Sequence, residues 1–281
     1  MIKLLSPDAR AEMRLSIYLA LIAGYVDAYA LSAYGIYVSF MSGNTTQTGS
    51  MTGQGRLLAT LPSVLAILFF VAGSFAGTWL THSRLRHSRQ VLFGAIAVLL
   101  AVIIGGTQLG NSALHAEICI ATLSLAMGLM NTTLSQIGAE PVNLTFVTGT
   151  LNKIGRHLAL AIRRAPLPDA QGQWDTHLRR AGRMASDWAS FLAGALVSGA
   201  VTSYFGVWVL LPPFLILLAL ALVWVPFAPD KAPIEQPAHS SLQQRRRPPT
   251  LAPTMDPTTE AAEAVQPREV TSRHGPRRGN G

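Results

Sequence analysis

The sequence has little charge for its length. Only 13% of its 281 residues are Asp, Glu, Lys or Arg, which is about half the share in a soluble globular protein. The deficit is regional, because from Leu15 to Phe227 the chain is a series of long apolar runs. No nucleic-acid-binding motif is present. The composition therefore predicts a membrane protein whose first partner is the lipid bilayer.

Cysteine and catalytic motifs are also scarce. The single cysteine, Cys119, excludes an intramolecular disulfide and a metal site built from several cysteines. The sequence contains no nucleophile elbow, zinc-protease motif or P-loop, and the histidines lack metal-ligand spacing. We therefore expect no enzyme, no cofactor and no metal site.

Six segments are long and apolar enough to cross a bilayer, which takes about 20 residues per helix. They are approximately 15–41, 61–80, 91–109, 116–137, 187–204 and 208–227. Of the 22 Lys and Arg residues, all but Arg56 fall on one side of this topology. The positive-inside rule then places both termini in the cytoplasm.

One motif occurs twice in the chain. Gly24-Tyr25-Val26-Asp27-Ala28 is matched by Gly128-Leu129-Met130-Asn131-Thr132, and Met41-Ser42-Gly43-Asn44 is matched by Val147-Thr148-Gly149-Thr150. Each copy contains three predicted spans, and an odd number of crossings inverts the second copy relative to the first. We expect an all-α membrane protein of six transmembrane helices, arranged as two inverted three-helix repeats.

The predicted organisation has four parts. They are a cytoplasmic N-terminus (1–14), a first three-span repeat (15–110), a second three-span repeat (111–228) and a tail (229–281). The tail is rich in proline and basic residues and has no aromatic residue. This composition predicts a disordered cytoplasmic segment.

The first element of each copy is longer than one crossing. About 40 residues separate Leu15 from Arg56, twice the number that a helix needs to cross the bilayer core. The surplus, rich in Gly, Thr and Asn, is either a long interfacial loop or a re-entrant half-helix that dips back into the membrane. The sequence leaves both interpretations open.

Asp27 is the strongest candidate for a functional residue. A carboxylate near the centre of a span costs about 2.5–3.5 kcal/mol on insertion scales. It is therefore either a proton or cation site or a hydrogen-bonded cap of a broken helix. Its counterpart, Asn131, cannot titrate. The candidate solute or proton site consists of Asp27, Asn131, Asn44, Thr45, Thr148 and Thr150; the polar residues of the two clusters are equally typical of helix N-caps.

Small residues predict close backbone contacts. Candidate helix breaks lie at Gly24, Gly43, Gly128 and Gly149. A small-residue signal follows each copy of the motif, as Val71-Ala72-Gly73 and Leu192-Ala193-Gly194, and the same two spans carry Gly73-x-x-x-Gly77 and Ala195-x-x-x-Gly199. Small residues four apart favour helix packing. We expect packing between the two halves, with a homo-oligomer contact as the alternative.

The repeated motifs resemble the YoaK-like family of bacterial multi-pass membrane proteins, a domain of unknown function. The resemblance covers approximately residues 14–228 and also includes Ala126-Met127 and Leu151 beside the quoted motifs. Ser42 stands where Thr is common in the family, and Met130 where Gln is common. The resemblance implies a multi-pass protein of the bacterial inner (plasma) membrane and brings no substrate.

The sequence thus favours a transporter or channel for a small, unidentified solute, coupled to protons or cations through Asp27. The alternative is a non-transporting scaffold or accessory subunit that recruits a partner through its tail.

Overall fold

A computed structural model describes residues 7–83, 87–106, 113–133, 136–137, 140–141, 147–168, 170 and 172–223. Their helices are α1 (Pro7–Tyr34), α2 (Met41–Gly53), α3 (Leu61–Thr81), α4 (Ser88–Gly106), α5 (Ala113–Asn131), α6 (Val147–Ile162), α7 (His177–Phe205) and α8 (Leu211–Leu222). Short 3-10 turns, Leu57–Thr60 and Gly206–Leu210, lead into α3 and α8. Strands β1 (Gln136–Ile137) and β2 (Glu140–Pro141) form a two-residue antiparallel pair. The predicted tail, 229–281, lies outside the described residues.

The helical membrane architecture is confirmed. Four stretches of the described chain are long and apolar enough to cross a membrane: Met13–Tyr34, Leu57–Thr81, Ser88–Gly106 and His177–Leu222. The last stretch contains both α7 and α8. Helix α5 has 19 residues, or about 28 Å at 1.5 Å per residue. Helices α2 and α6, with 13 and 16 residues, are shorter; α6 lies outside the six predicted spans, and α2 overlaps the first of them only at Met41.

Two predicted spans end earlier than the sequence suggested. Helix α1 ends at Tyr34 instead of Met41, because Gly35 adopts a left-handed conformation with φ of 69°. Helix α5 ends at Asn131 instead of Ile137. The hydroxyls of Thr132 and Thr133 donate to carbonyls of the last helical turn, each at 2.7 Å.

The long helices pair across the two halves of the sequence. Helix α1 packs along α7, α3 along α5, and α4 along α8. The core between them is apolar and includes the fully buried residues Leu19, Leu100, Leu123, Met127 and Leu217. The two sequence halves are therefore interleaved, because each of these pairs joins a helix of one half to a helix of the other.

The outer surface of the bundle is apolar as well. Phe75 and Trp79 of α3, Val98 of α4 and Leu196 of α7 are all more than half exposed. Such apolar exposure is typical of helices that face lipid.

Candidate functional site

Asp27 is a buried carboxylate in the interior of α1, with 6% of its surface exposed. Its Oδ1 accepts the backbone N–H groups of Val38 and Ser39, each at 2.9 Å. Hydrogen bonds to a charged acceptor are about twice as strong as neutral ones. The carboxyl group of Asp27 therefore fixes the backbone of the segment that precedes α2.

The contacts of Asp27 also show that the chain turns back after α1. Helix α1 continues for seven residues beyond Asp27, about 10 Å along its axis. Gly35 reverses the chain, and Val38 and Ser39 return to Asp27. Segment 35–40 thus runs back along α1 for about two helical turns, and α2 begins beside the interior of α1.

The start of α2 is held by further contacts. Asn44, which is fully buried, donates from Nδ2 to the carbonyl of Tyr37 at 2.6 Å. A Cβ on Gly43 would collide with the ring of Phe40, so the ring packs directly against this glycine. Thr45, by contrast, is exposed and donates to the carbonyl of Met41 in its own helix at 2.8 Å. The structure therefore brings Asn44 and Asp27 to the same segment and leaves Thr45 on the outside.

The second copy of the motif is arranged differently. Asn131 ends α5, and its buried Oδ1 has no hydrogen-bond partner among the described residues. Thr148, Gly149 and Thr150 lie in the first turn of α6, with Thr148 exposed and Thr150 partly buried. Helix α6 packs on α7. Residues 142–146, which correspond to the segment before α2, lie outside the described part of the chain.

Paired glycines allow the closest contact between α1 and α7. A Cβ on Gly24 would collide with the carbonyl oxygen of Phe191, and a Cβ on Gly194 would collide with the carbonyl oxygen of Leu21. Neither helix can therefore carry a larger residue at this crossing without moving its partner's backbone.

An equivalent crossing joins α5 to α3. A Cβ on Gly128 would lie 3.0 Å from the Cα of Gly73 and would collide with the carbonyl of Phe70. One turn further along α3, a Cβ on Gly77 would collide with the hydroxyl of Thr132. Each crossing thus pairs a motif glycine of one half, Gly24 or Gly128, with a small-residue glycine of the other half.

The predicted small-residue pair of α7 is displaced by one position. Gly199 is exposed, and a Cβ built there would meet no atom within 4 Å. Ala195 is only partly buried. The packed residues are Gly194 and Ser198, which is fully buried. As residues that pack between helices of the same chain, Ala195 and Gly199 were therefore predicted wrongly, because the packed residues lie one position earlier.

Comparison with known proteins identifies the family. Residues 15–223 match the model of a family described as "Protein of unknown function (DUF1275)". The chain belongs to this family. A UPF0700 transmembrane protein from Rhizobium meliloti (strain 1021) is 31% identical over 186 residues, or 65% of this chain and 72% of that protein. No solved structure matches the chain. The expected membership of a membrane family of unknown function is confirmed.

The sequence did not predict a polar cluster that joins α6 to α7 in this DUF1275 protein. His157 and His177 are both buried, and their Nδ1 atoms are 2.9 Å apart. Nearby in the chain, Arg180 donates from Nε and Nη2 to the two carboxylate oxygens of Asp175, at 3.0 and 2.7 Å. A contact between residues 20 positions apart, such as His157 and His177, leaves no spacing pattern in the sequence. Only the excess of basic residues in this connection was visible.

Several buried oxygens of the DUF1275 chain have no hydrogen-bond partner among the described residues. They belong to Asn44, Thr48, Ser63, Ser124, Asn131 and Ser198. A buried polar atom without a partner costs about 1–3 kcal/mol, so each calls for an explanation. Within the same part of the chain, no three His, Cys, Asp or Glu side chains come together as a metal site.

Proposed function

We propose that this protein is a carrier for a small solute, built from two inverted halves of three transmembrane helices, with α2 as a re-entrant helix. The observation that carries the proposal is the return of the chain to Asp27, where Val38 and Ser39 donate to its carboxylate. In many transporters, helices that start or break near the bilayer midplane form the solute site at the interface of inverted repeats.

The direction of α1 and α7 supports the inverted arrangement. Ser16 donates to Asp187 at 3.0 Å, and further along both helices Gly24 meets Phe191. Residue numbers therefore increase in the same direction in both helices, and α1 and α7 are parallel. With the charge distribution of the sequence, both would leave the cytoplasm of a bacterial inner membrane.

Helices α3 and α5 support the inverted arrangement in the same way. Gly73 meets Gly128, and Gly77 meets Thr132 one turn later, so these helices are parallel too. A chain of six crossings makes α3 and α5 both return to the cytoplasm. Both termini are then cytoplasmic, and each glycine crossing is the inverted counterpart of the other.

The environment of segment 35–40 supports a re-entrant α2. Ile36, Val38 and Ser39 are each no more than 4% exposed. Non-helical backbone at membrane depth is tolerated only where it is buried in protein or lines a water-filled cavity. Two N–H groups of this non-helical segment, those of Val38 and Ser39, are satisfied by Asp27.

In this proposal Asp27 acts first as the anchor of α2. Its Oδ1 is engaged by two amides, and we assign the proton or the cation to Oδ2. Coupled transport through Asp27 therefore depends on Oδ2.

The test is solute flux into proteoliposomes, with and without a pH gradient, for the wild type and Asp27→Asn. We expect flux above that of protein-free liposomes, and we expect Asp27→Asn to lose the response to the gradient. If Asp27→Asn keeps gradient-driven flux, coupling through Asp27 is excluded and the carrier remains. If the wild type adds no flux for any tested solute, the carrier proposal fails, and the scaffold function with a partner-recruiting tail replaces it.

A further inference from the structure

Helix α6 has an apolar stripe on its outer side. Leu151, Leu158 and Ile162 are 45%, 41% and 84% exposed, and Gly155, which lies between them, is exposed as well. Residues three or four apart lie on one helix face. These four residues are spaced by four, three and four positions, so they form one continuous stripe. The described part of the chain leaves this stripe uncovered.

A basic stripe runs beside the apolar one. Arg156 and Arg163 are exposed, and each directly follows a residue of the apolar stripe. Successive residues are about 100° apart around a helix, so the two stripes are neighbours. Arg163 continues the last turn of α6, because its N–H donates to the carbonyl of Ala159 at 3.1 Å. Residues 147–164 contain no Asp or Glu, so this face is positively charged.

The inner side of α6 is the one that packs on α7. Thr150, Ile154, His157 and Ala161 are also spaced by four, three and four positions, and each is at least partly buried. His157 contacts His177, the first residue of α7, through their Nδ1 atoms at 2.9 Å. The protein therefore holds α6 by one face and leaves the face with the two stripes exposed.

The contact between α6 and α7 lies close to the edge of the membrane. Arg183 is the last basic residue of α7, and no Lys or Arg follows it before the end of α8. His177 precedes Arg183 by six residues, or about 9 Å along the helix. This distance is comparable with the headgroup layer, which is about 5–7 Å deep on each side of the apolar core. The charge distribution of the sequence assigns this end of α7 to the cytoplasm.

Helix α2, the counterpart of α6 in the first half, lacks such a face. Met41–Gly53 contains no charged residue, and its exposed residues include Thr45, Thr46 and Ser50. An uncharged polar face does not attract a charged membrane surface. The combination of an apolar and a basic stripe therefore distinguishes α6 from α2.

We propose that the outer face of α6 binds anionic phospholipids of the cytoplasmic leaflet. Arg156 and Arg163 contact the phosphate groups, and the apolar stripe lies at the boundary with the acyl chains. A helix with one apolar and one basic side is typical of segments in the interface of a membrane that contains anionic lipids. Basic residues near the cytoplasmic surface are attracted by its negative potential. This inference rests on the cytoplasmic position of α6 and is independent of solute transport.

The charge of this face favours a lipid over a second copy of the chain. A two-fold dimer joins the same surface of both copies, so it would bring two positive faces together. Lipid phosphates supply the opposite charge, and the acyl chains next to them cover Leu158 and Ile162. An anionic lipid therefore complements both stripes at once.

Thermal unfolding of the full-length protein in detergent measures the preference for the anionic headgroup. The probes are phosphatidylglycerol and phosphatidylcholine with the same acyl chains, and inorganic phosphate without lipid. The variants are Arg156→Gln and the double substitution Arg156→Gln with Arg163→Gln. The matched control is Arg56→Gln, which removes an exposed arginine from the opposite side of the predicted topology. A ligand that binds the folded protein raises its unfolding temperature according to its affinity.

We expect phosphatidylglycerol to stabilise the wild type more than phosphatidylcholine does. An arginine near an anionic surface contributes about fivefold in affinity, so the single variant should bind phosphatidylglycerol about fivefold and the double variant about 30-fold more weakly. Arg56→Gln should bind as the wild type does. Equal stabilisation by the two lipids, equal losses in Arg156→Gln and Arg56→Gln, or the same stabilisation by inorganic phosphate alone would overturn the lipid site.

Spin labels test the apolar stripe. In a Cys119→Ala background, Leu158→Cys and Asn152→Cys are labelled and reconstituted into vesicles of phosphatidylcholine and phosphatidylglycerol. Leu158 is on the apolar stripe, whereas Asn152 is exposed on the side of the basic stripe. We expect the label at 158 to be reached by oxygen and shielded from a water-soluble nickel complex, and the label at 152 to be reached by the complex. Equal access of the complex to both labels would overturn the proposal. Dipolar coupling between labels at 158 in two copies would also overturn it, because the stripe would then be a dimer contact.

Discussion

Replacing Asp27 separates the need for an acceptor from the need for a charge. Asp27→Ala leaves the buried amides of Val38 and Ser39 without their acceptor, at a cost of about 1–3 kcal/mol each. Asp27→Ala also removes the cost of about 2.5–3.5 kcal/mol for a charge at helix centre, a gain that Asp27→Asn shares, so we expect Asp27→Ala to be up to about 4 kcal/mol less stable than Asp27→Asn. In Asp27→Asn the side-chain oxygen can still accept both N–H groups.

Two effects nearly cancel in Asp27→Asn. The loss of charge weakens each hydrogen bond by about 1 kcal/mol, but the amide avoids the cost of about 2.5–3.5 kcal/mol for a charge at helix centre. We expect Asp27→Asn to stay within about 1.5 kcal/mol of the wild type. Unfolding by SDS in mixed micelles measures both variants. The reasoning is refuted if Asp27→Asn is no more stable than Asp27→Ala.

Five further substitutions test the helix packing and the Arg180–Asp175 ion pair. Gly24→Ala and Gly128→Ala each drive a methyl group into a partner backbone, so each should cost at least about 1–3 kcal/mol; Gly199→Ala, where nothing lies within 4 Å, should be neutral or slightly stabilising. Equal effects at all three glycines in thermal unfolding would contradict the two crossings. Arg180→Ala removes the partner of a buried carboxylate whose side chain is 8% exposed and should cost about 3–5 kcal/mol, while the exposed Arg179→Ala should change stability by less than about 1 kcal/mol. Similar losses for the two arginines would show that the ion pair does not hold this region.

The sequence predicted the long helices because membrane spans are local signals of length and apolarity. It could not choose between an interfacial loop and a turn back toward Asp27. That choice depends on contacts between Asp27 and residues 11 and 12 positions away. The left-handed conformation of Gly35 was not distinguishable from the other glycines of the region.

The candidate site was predicted only in part. Asp27 and Asn44 act on the same segment, whereas Thr45 faces outward. Ser63 and Ser124 were not singled out, because an isolated serine in an apolar helix carries no pattern. Their burial without a hydrogen-bond partner is visible only in the three-dimensional structure.

The inverted arrangement of the two halves is tested most directly by the sidedness of α2 and α6. In a Cys119→Ala background, single cysteines would be placed after each helix, as Gln54→Cys and Pro166→Cys, both at exposed positions. A membrane-impermeant maleimide is applied to intact cells, then to permeabilised cells. We expect Gln54→Cys to react in intact cells and Pro166→Cys to react only after permeabilisation. Reaction of both cysteines in intact cells, or protection of both, would contradict two inverted halves.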